Sequence, residues 1–417
     1  MTKKILLALL LISFNQVQAQ QGLLDTLSMY VEEFQQEAGK ENGTLWGIAF
    51  KAPLLIKTQD FLVSSAPVEG FEQYKNIYYG TADDYKVAAN SCVDWRGQKR
   101  ATFVYRQPRF DDRQSRLELF FHESFHCNQS DLQIVMQFKQ CKHFNEFEAR
   151  SLLRLECNAL LRVLESSTFD TTALIDALSF RAYRYALYPN AYKEETLYEL
   201  SEGTASYTGY KLSGKTHEEI VATMKSWIKS DPQFFAYWTG AMYGFILDTM
   251  GVEWRRQISS KNNFLYLTLF LTDMRLPNDL KKHYETARKN YNWNEIKSAE
   301  KNVDKEVKQR EKRYTTMFFQ NPVVHIPFDS SQNFSFGFML PFADGMIYKQ
   351  LGTSSNWGTL WSPGEIFFRG NEFLLTKPTE ITAATIKGED WELALNRGFS
   401  LQKISKNRYE IRENREK

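Results

Sequence analysis

The stretch His122-Glu123-Ser124-Phe125-His126 constrains this chain more than any other. Two histidines four residues apart stack on one face of an α-helix, with Cβ atoms about 5–6 Å apart. Both imidazoles then reach a single tetrahedral divalent ion at roughly 2.0–2.1 Å, the length of a zinc–nitrogen bond. Glu123 lies about a quarter turn round from His122, so its carboxylate flanks such an ion and can take a proton from water there. A fold that uses this chemistry must make a helix here, bury one of its faces and bring a further ligand to the other.

Chance is a poor account of the pattern. The chain has six histidines in 417 residues, and two of them fall in this pentapeptide. Residue frequencies give well under about 0.05 expected matches in a chain of this length. The preceding run from Arg113 to Phe121 reads as helix, entered through Asp111 or Asp112 as N-cap. Leu117, Phe120, Phe121 and Phe125 supply its apolar face.

Residues 1–19 have the layout of a secretory leader: Lys3 and Lys4, an apolar core from Ile5 to Phe14, and Val17-Gln18-Ala19 as a small-residue cleavage site. A core of ten residues is too short for a membrane span, which needs about 20. The expectation is an exported chain without a transmembrane anchor. Its formal charge of +2 falls to zero once Lys3 and Lys4 leave. A neutral chain argues against nucleic acid as partner, since phosphate binding needs a positive field. Export permits disulfides among Cys92, Cys127, Cys141 and Cys157, with three full pairings open. Cys127 follows His126 but points off the histidine face, so a bridge or a buried apolar role is expected for it.

The length predicts more than one domain. After an amphipathic helix at 23–38 come short β-prone runs, Thr44 to Phe50, Phe61 to Val63 and Thr102 to Tyr105, with Asp94-Trp95-Arg96-Gly97 as a turn. Helices are expected at 144–166, 171–188, 193–212, 216–229, 233–250, 264–273 and 278–312. From Tyr314 onward aromatic-rich runs alternate with turn residues, among them Val323 to Ile326, Phe334 to Phe338, Glu365 to Gly370 and Phe373 to Leu375. The expected class is α+β: a mostly helical domain at 20–313 opened by a short β-sheet, then an all-β domain at 314–417.

A catalytic zinc takes three protein ligands and leaves a fourth position for water. His143, His217, His283 and His325 fall in no second metal motif, which turns attention to the glutamates. Glu202-Gly203-Thr204-Ala205-Ser206-Tyr207 lies on an expected helix. HExxH followed by Glu-Gly-x-Ala resembles the gluzincin clan of metallopeptidases, in which the glutamate before glycine is the third zinc ligand. The resemblance implies Glu202 as partner of His122 and His126, with Glu199, Glu146, Glu148 and Glu156 as rivals. It also implies a zincin-like fold, in which the strand ending at Tyr105 is the edge strand that pairs with extended substrate. Two features depart from thermolysin-like members. Glu202 follows His126 by 76 residues, so a helical pair at 144–188 must loop out, and Ser206 stands where those members carry an aspartate that buttresses the first histidine. Gly203 and Ala205 are expected to let this helix pack closely on the HExxH helix.

A broader resemblance covers most of the chain. Leu45-Trp46-Gly47, Pro53 to Ile56, Ala89-Asn90-Ser91, Val93-Asp94-Trp95, HExxH, Glu-Gly-x-Ala-x-Tyr and Gly240 to Gly244 with Leu247-Asp248 recur in that order in a group of exported bacterial HExxH proteins of unassigned substrate, which this chain resembles. The implied function is a zinc-dependent hydrolase of peptides or other amides, with Glu123 as general base. The rival reading is a non-catalytic zinc-containing binding protein whose β domain does the recognition. Tyr207, Tyr210 and Tyr243 are eligible oxyanion donors. Arg181 and Arg184 are eligible to clamp a substrate carboxylate or to pair with Glu194 and Glu195, and Glu199 reads as a surface ion-pair residue.

Overall fold

The structure, a computed structural model, describes residues 2–82, 84–85, 89–105, 109–134, 141–328, 334–335, 338–382 and 384–414; the side chains of the leader, residues 1–19, and Phe336 and Gly337 of the aromatic runs lie outside the described residues. The fold is α+β, and the chain divides into two compact units, Met1–Phe144 with Glu148–Lys297, and Asn145–Phe147 with Ser298–Lys417.

The first unit opens with α1 (Thr2–Glu41). Leu24, Leu27, Val31 and Phe34 recur at helical spacing and are all buried, as the amphipathic pattern predicts. Next comes a six-stranded sheet made of β1 (Leu54–Lys57), β2 (Leu62–Ser64), β3 (Glu72–Tyr74), β4 (Ile77–Gly80), β5 (Ser91–Trp95) and β6 (Gln98–Val104). The strand order is β3-β4-β2-β1-β6-β5, with β1 and β6 parallel and the other pairs antiparallel. Arg96 and Gly97, both at positive φ, turn β5 into β6 as the sequence predicts.

Two strand expectations need correction. Thr44 to Phe50 is a run of turns, because Asn42, Gly43 and Gly47 adopt positive φ and the Glu41 carboxylate accepts the backbone N–H groups of Gly43 and Leu45 at 2.9 and 2.7 Å. Its aromatic residues serve as core anchors instead: Trp46 packs on Phe125 at 5.0 Å and Phe50 on Phe121 at 5.7 Å. The second correction concerns the sheet edge. The strand ending beside Tyr105, β6, lies between β1 and β5, so the edge position falls to β5.

The helical part follows with α2 (Arg113–Asn128), α3 (Phe147–Glu165), α4 (Thr171–Leu187) and α5 (Ala191–Tyr198). A π turn over Glu199–Gly203 leads into α6 (Thr204–Leu212), so the helix expected at 193–212 is interrupted at its middle. Then come α7 (His217–Trp227), α8 (Ala236–Thr249), α9 (Phe264–Thr272), α10 (Leu280–Ala287) and α11 (Trp293–Thr315). The last two were expected as one helix. Asn292 at positive φ separates them. Among the described residues no helix is long and apolar enough to cross a membrane.

The second unit is β-rich. Its described strands, from Val323–Pro327 to Arg408–Glu413, form one sheet, which turns on the long hairpin of Gly345–Ser355 with Gly358–Arg369. Val324, Ile326, Leu351, Leu360, Ile366, Phe373 and Leu393 fill its core.

Candidate metal centre

The α2 helix forms where the sequence places it. Asp112 is its N-cap and accepts the Ser115 backbone N–H at 2.7 Å. Leu117, Phe120, Phe121 and Phe125 are each at most 1% exposed, and each contributes about 1.5–3 kcal/mol by its burial. That apolar face seats the helix against the core and turns His122 and His126 the other way. Their Nε2 atoms lie 3.2 Å apart.

Glu202 meets them there. Its Oε2 is 3.3 Å from the His122 Nε2 and 3.4 Å from the His126 Nε2. The three donor atoms are thus spaced 3.2, 3.3 and 3.4 Å from one another. A tetrahedron with bonds of 2.0–2.1 Å has edges of about 3.3–3.4 Å. The set therefore fits one face of a tetrahedral divalent ion. A Glu123 carboxylate oxygen lies within 4.8 Å of one ring nitrogen of each histidine, flanking the set.

Three of the rival glutamates, Glu199, Glu156 and Glu148, are engaged elsewhere. Glu199 receives both Arg181 terminal nitrogens at 2.6 and 2.7 Å, deep in the core and not on the surface. Glu156 is held by the Arg181 Nε at 2.6 Å and the Arg184 Nη1 at 2.8 Å. Glu148 lies beside Tyr284. Arg184 does pair with Glu195, at 2.6 Å, but Arg181 pairs with Glu156 and Glu199, so neither arginine faces a substrate. The π turn accounts for the divergence of Glu199 and Glu202. Residues three apart on a regular helix share a face, and the wider turn rotates them apart.

The packing around Glu202 also differs from expectation. Gly203 meets α8, where a Cβ would come within 2.9 Å of the Gly240 Cα. The close approach to α2 is made one and a half turns later by Gly209, where a Cβ would lie 2.6 Å from the Glu118 carbonyl oxygen. Small residues are required on this helix for two separate contacts.

Behind each ring stands a residue that orients it. The Ser206 hydroxyl lies 3.4 Å from the His122 Nδ1, the position that the departure from an aspartate pointed to. Gln129 supports His126, and sequence reasoning missed it. Its Oε1 accepts from the His126 Nδ1 at 2.9 Å, and its amide nitrogen donates to the Leu200 and Ser201 carbonyls at 3.2 and 2.7 Å. One buried amide thereby ties α2 to the turn that carries Glu202. The signal was its place three residues beyond His126, on the adjoining helical turn. Tyr237 was missed as well, being one of 21 tyrosines in no distinctive spacing. Its ring stacks on His122 at 5.7 Å. The expected donors are engaged elsewhere: Tyr207 donates to Asp248 at 2.6 Å, Tyr243 donates to Glu156 at 2.9 Å, and Tyr210 is buried beside Glu118.

Electrostatics follow the geometry. Burial opposes the charge on Glu202, but hydrogen bonds with His122 and His126 outweigh it and hold the carboxyl well below the usual carboxylate range. Burial likewise lowers His126, and Glu202 more than offsets this, raising it to about 9. Burial raises Glu123, against the pull of the two histidines, which makes it a stronger base than a solvated carboxylate. Burial first, and then hydrogen-bonded Glu202, push the Tyr237 phenol well up, so it stays a donor.

A cleft of about 420 Å³ opens beside His126, lined also by Asp94, Lys99 and Ser130. A disulfide between Cys92 and Cys127 fastens the edge strand β5 to α2 along this cleft. Cys141 and Cys157 are buried and not bridged. Comparison with protein-family models, with curated proteins and with solved structures finds no match to this chain.

Proposed function

We propose that this chain is an exported zinc-dependent hydrolase, zincin-like and of gluzincin type, that cleaves amide bonds, with peptides as its substrate class. The observation that carries the reading is the mutual spacing of 3.2–3.4 Å among the His122, His126 and Glu202 donors, with a buried non-ligand carboxylate beside them. Export rests on the leader pattern of residues 1–19.

Zinc held by those three residues supplies Lewis acidity towards the scissile carbonyl and lowers the pKa of water. The rest falls to the chain. Glu123 takes a proton from the attacking water as its oxygen bonds to the carbonyl carbon. It then passes that proton to the amide nitrogen as the C–N bond breaks, releasing a carboxylic acid and an amine. The Tyr237 phenol donates to the carbonyl oxygen as negative charge grows there. The edge strand β5 receives an extended peptide by backbone pairing, and its disulfide to α2 ties that strand to the helix that carries His126.

The test uses the mature protein and a mixed peptide library, with and without a chelator. Cleavage that the chelator abolishes and added zinc restores is expected. Glu123→Gln should bind zinc as the parent does and lose turnover by at least about 100-fold, the usual worth of a general base. Chelator-insensitive cleavage, full activity of Glu123→Gln, or no cleavage across the library would each overturn the reading.

A further inference from the structure

A second group of metal-ligand types lies outside the centre described above. Cys141, His143 and the Glu194 carboxylate each offer one donor atom, and those atoms lie within 4.8 Å of one another. Cys141 is 1% exposed, and the His143 side chain is 5% exposed. Cys141 is not in a disulfide.

The hydrogen bonding of His143 gives the group its meaning. Its Nε2 lies 2.8 Å from the Oε1 of Glu195, whose carboxylate is held on its other side by Arg184. A carboxylate accepts, so Nε2 carries the proton and Nδ1 presents a lone pair. Among the described residues this buried Nδ1 makes no hydrogen bond, and it faces the Glu194 Oε2 at 3.4 Å. The buried Nδ1 and the partly exposed Glu194 carboxylate are two acceptors in contact, an arrangement that calls for a cation between them. A carboxylate behind a histidine whose free nitrogen looks into a cluster of ligand atoms is the usual arrangement behind a metal. The separation also equals the edge of about 3.4 Å expected for two light-atom ligands of one tetrahedral ion.

We propose that Cys141, His143 and Glu194 hold a second divalent metal ion of the borderline-soft class, zinc. The thiolate and imidazole select against calcium and magnesium, which take oxygen ligands. The ion would pin the short 3₁₀ turn Lys142–Asn145 to the first turn of α5, the helix that runs on into the π turn with Glu202. Ring contacts run in series from this cluster to the first centre: Phe144 on Phe235 at 5.2 Å, Phe235 on Tyr198 at 5.6 Å, Tyr198 on Tyr237 at 6.2 Å, and Tyr237 on His122 at 5.7 Å. A metal at the far end of that wall braces the ligand helix from behind.

Cobalt substitution separates the two centres, because only the second has a sulfur ligand. The full mature protein, metal-stripped and loaded with cobalt, should bind two ions and show a near-ultraviolet thiolate-to-cobalt charge-transfer band. His126→Ala should lower the count to one and keep the band, whether or not the hydrolase reading holds. Cys141→Ser should lower the count to one and remove it. Where that variant does not fold, Glu194→Gln serves, and its band should weaken or shift. No charge-transfer band in the folded, cobalt-loaded parent, or a band that survives Cys141→Ser, would overturn the proposal; a single ion that carries the band supports it and counts against the first centre alone.

Discussion

Replacing Gln129 by methionine tests whether the first centre is organised from behind its ligands. Methionine keeps the length and apolar bulk of the side chain and removes its amide. Gln129 is fully buried and makes three hydrogen bonds, to the His126 Nδ1 and to the carbonyls of Leu200 and Ser201. Leu200 O keeps a partner, since the Thr204 hydroxyl donates to it at 2.6 Å. The substitution therefore leaves the His126 N–H and the Ser201 carbonyl without these bonds. The Ser201 carbonyl lies within a continuous helical run, so the ring N–H is the group left unsatisfied; such a buried group costs about 1–3 kcal/mol, and stability should fall by about that much.

The effect on metal is distinct. With Gln129 accepting from Nδ1, the His126 ring is fixed in rotation and its Nε2 lone pair faces Glu202. Loss of such a supporting partner weakens metal binding about 10–100-fold, or roughly 1.4–2.7 kcal/mol. Zinc affinity, read by competition with a chelating dye on protein shown to be folded by circular dichroism, should fall in that range for Gln129→Met. Gln129→Glu restores an acceptor for Nδ1–H but not the donors to the two carbonyls, so it should recover affinity more than it recovers urea stability. Parental zinc affinity in Gln129→Met would refute the argument that this amide orients His126.

Other outcomes follow from the same contacts. The Cys92–Cys127 bridge closes a loop with a sequence separation of 35, and the chain-entropy relation assigns it roughly 4 kcal/mol; Cys92→Ser with Cys127→Ser should lose most of that in urea unfolding, and a loss under about 1 kcal/mol would contradict it. On the proposed reading, zinc would have to displace the proton that Glu202 helps His126 hold up to about 9. Apparent zinc affinity should therefore climb about tenfold per pH unit between about pH 7 and 8.5, and a flat profile would show that no proton is released. Burial opposes the charge on Glu195, but Arg184 and His143 hold its folded pKa well below the unfolded value, so its stabilisation is complete above the unfolded value and drains away as pH falls towards the folded one. Burial raises Glu199, which works in the opposite sense. Urea midpoints should decline from about pH 5 into strong acid, with Glu195 contributing to the loss, and a midpoint unchanged down to about pH 3 would exclude that contribution. Arg181→Met should destabilise by about 3–5 kcal/mol in the same assay, because it strands Glu156 and Glu199 in the core; a change below about 1 kcal/mol would contradict that account.

How far the sequence could be read depended on the range of the interaction. The α2 helix, its Asp112 cap and the facing of His122 and His126 are local matters, set by period and by a cap within three residues, and they were legible. Thr44 to Phe50 has β-prone side chains yet is bent by the positive φ of Gly43 and Gly47, so backbone freedom overrode side-chain preference. The edge position of β5 depended on β6 pairing with β1 over some forty residues, which no local pattern encodes. Glu156, Glu195 and Glu199 looked like solvated charges because nothing in their neighbourhoods announces Arg181 and Arg184 as buried partners.

That buried network bears on why Glu202 and not Glu199 reaches the histidines. Arg181 grips both oxygens of Glu199, and the Thr239 hydroxyl donates to it as well, which fixes the rotation of the turn three residues ahead of Glu202. The π turn then supplies the extra rotation that swings Glu202 to the opposite side. Gly203 against Gly240 and Gly209 against Glu118 set how near that side comes to α8 and α2. The carboxylate is placed by constraints behind it and beside it, before any ligand is bound. A motif search finds Glu202 by its neighbours Gly203 and Ala205, yet the positioning is done by Arg181, twenty-one residues upstream, and by two glycine contacts with other helices.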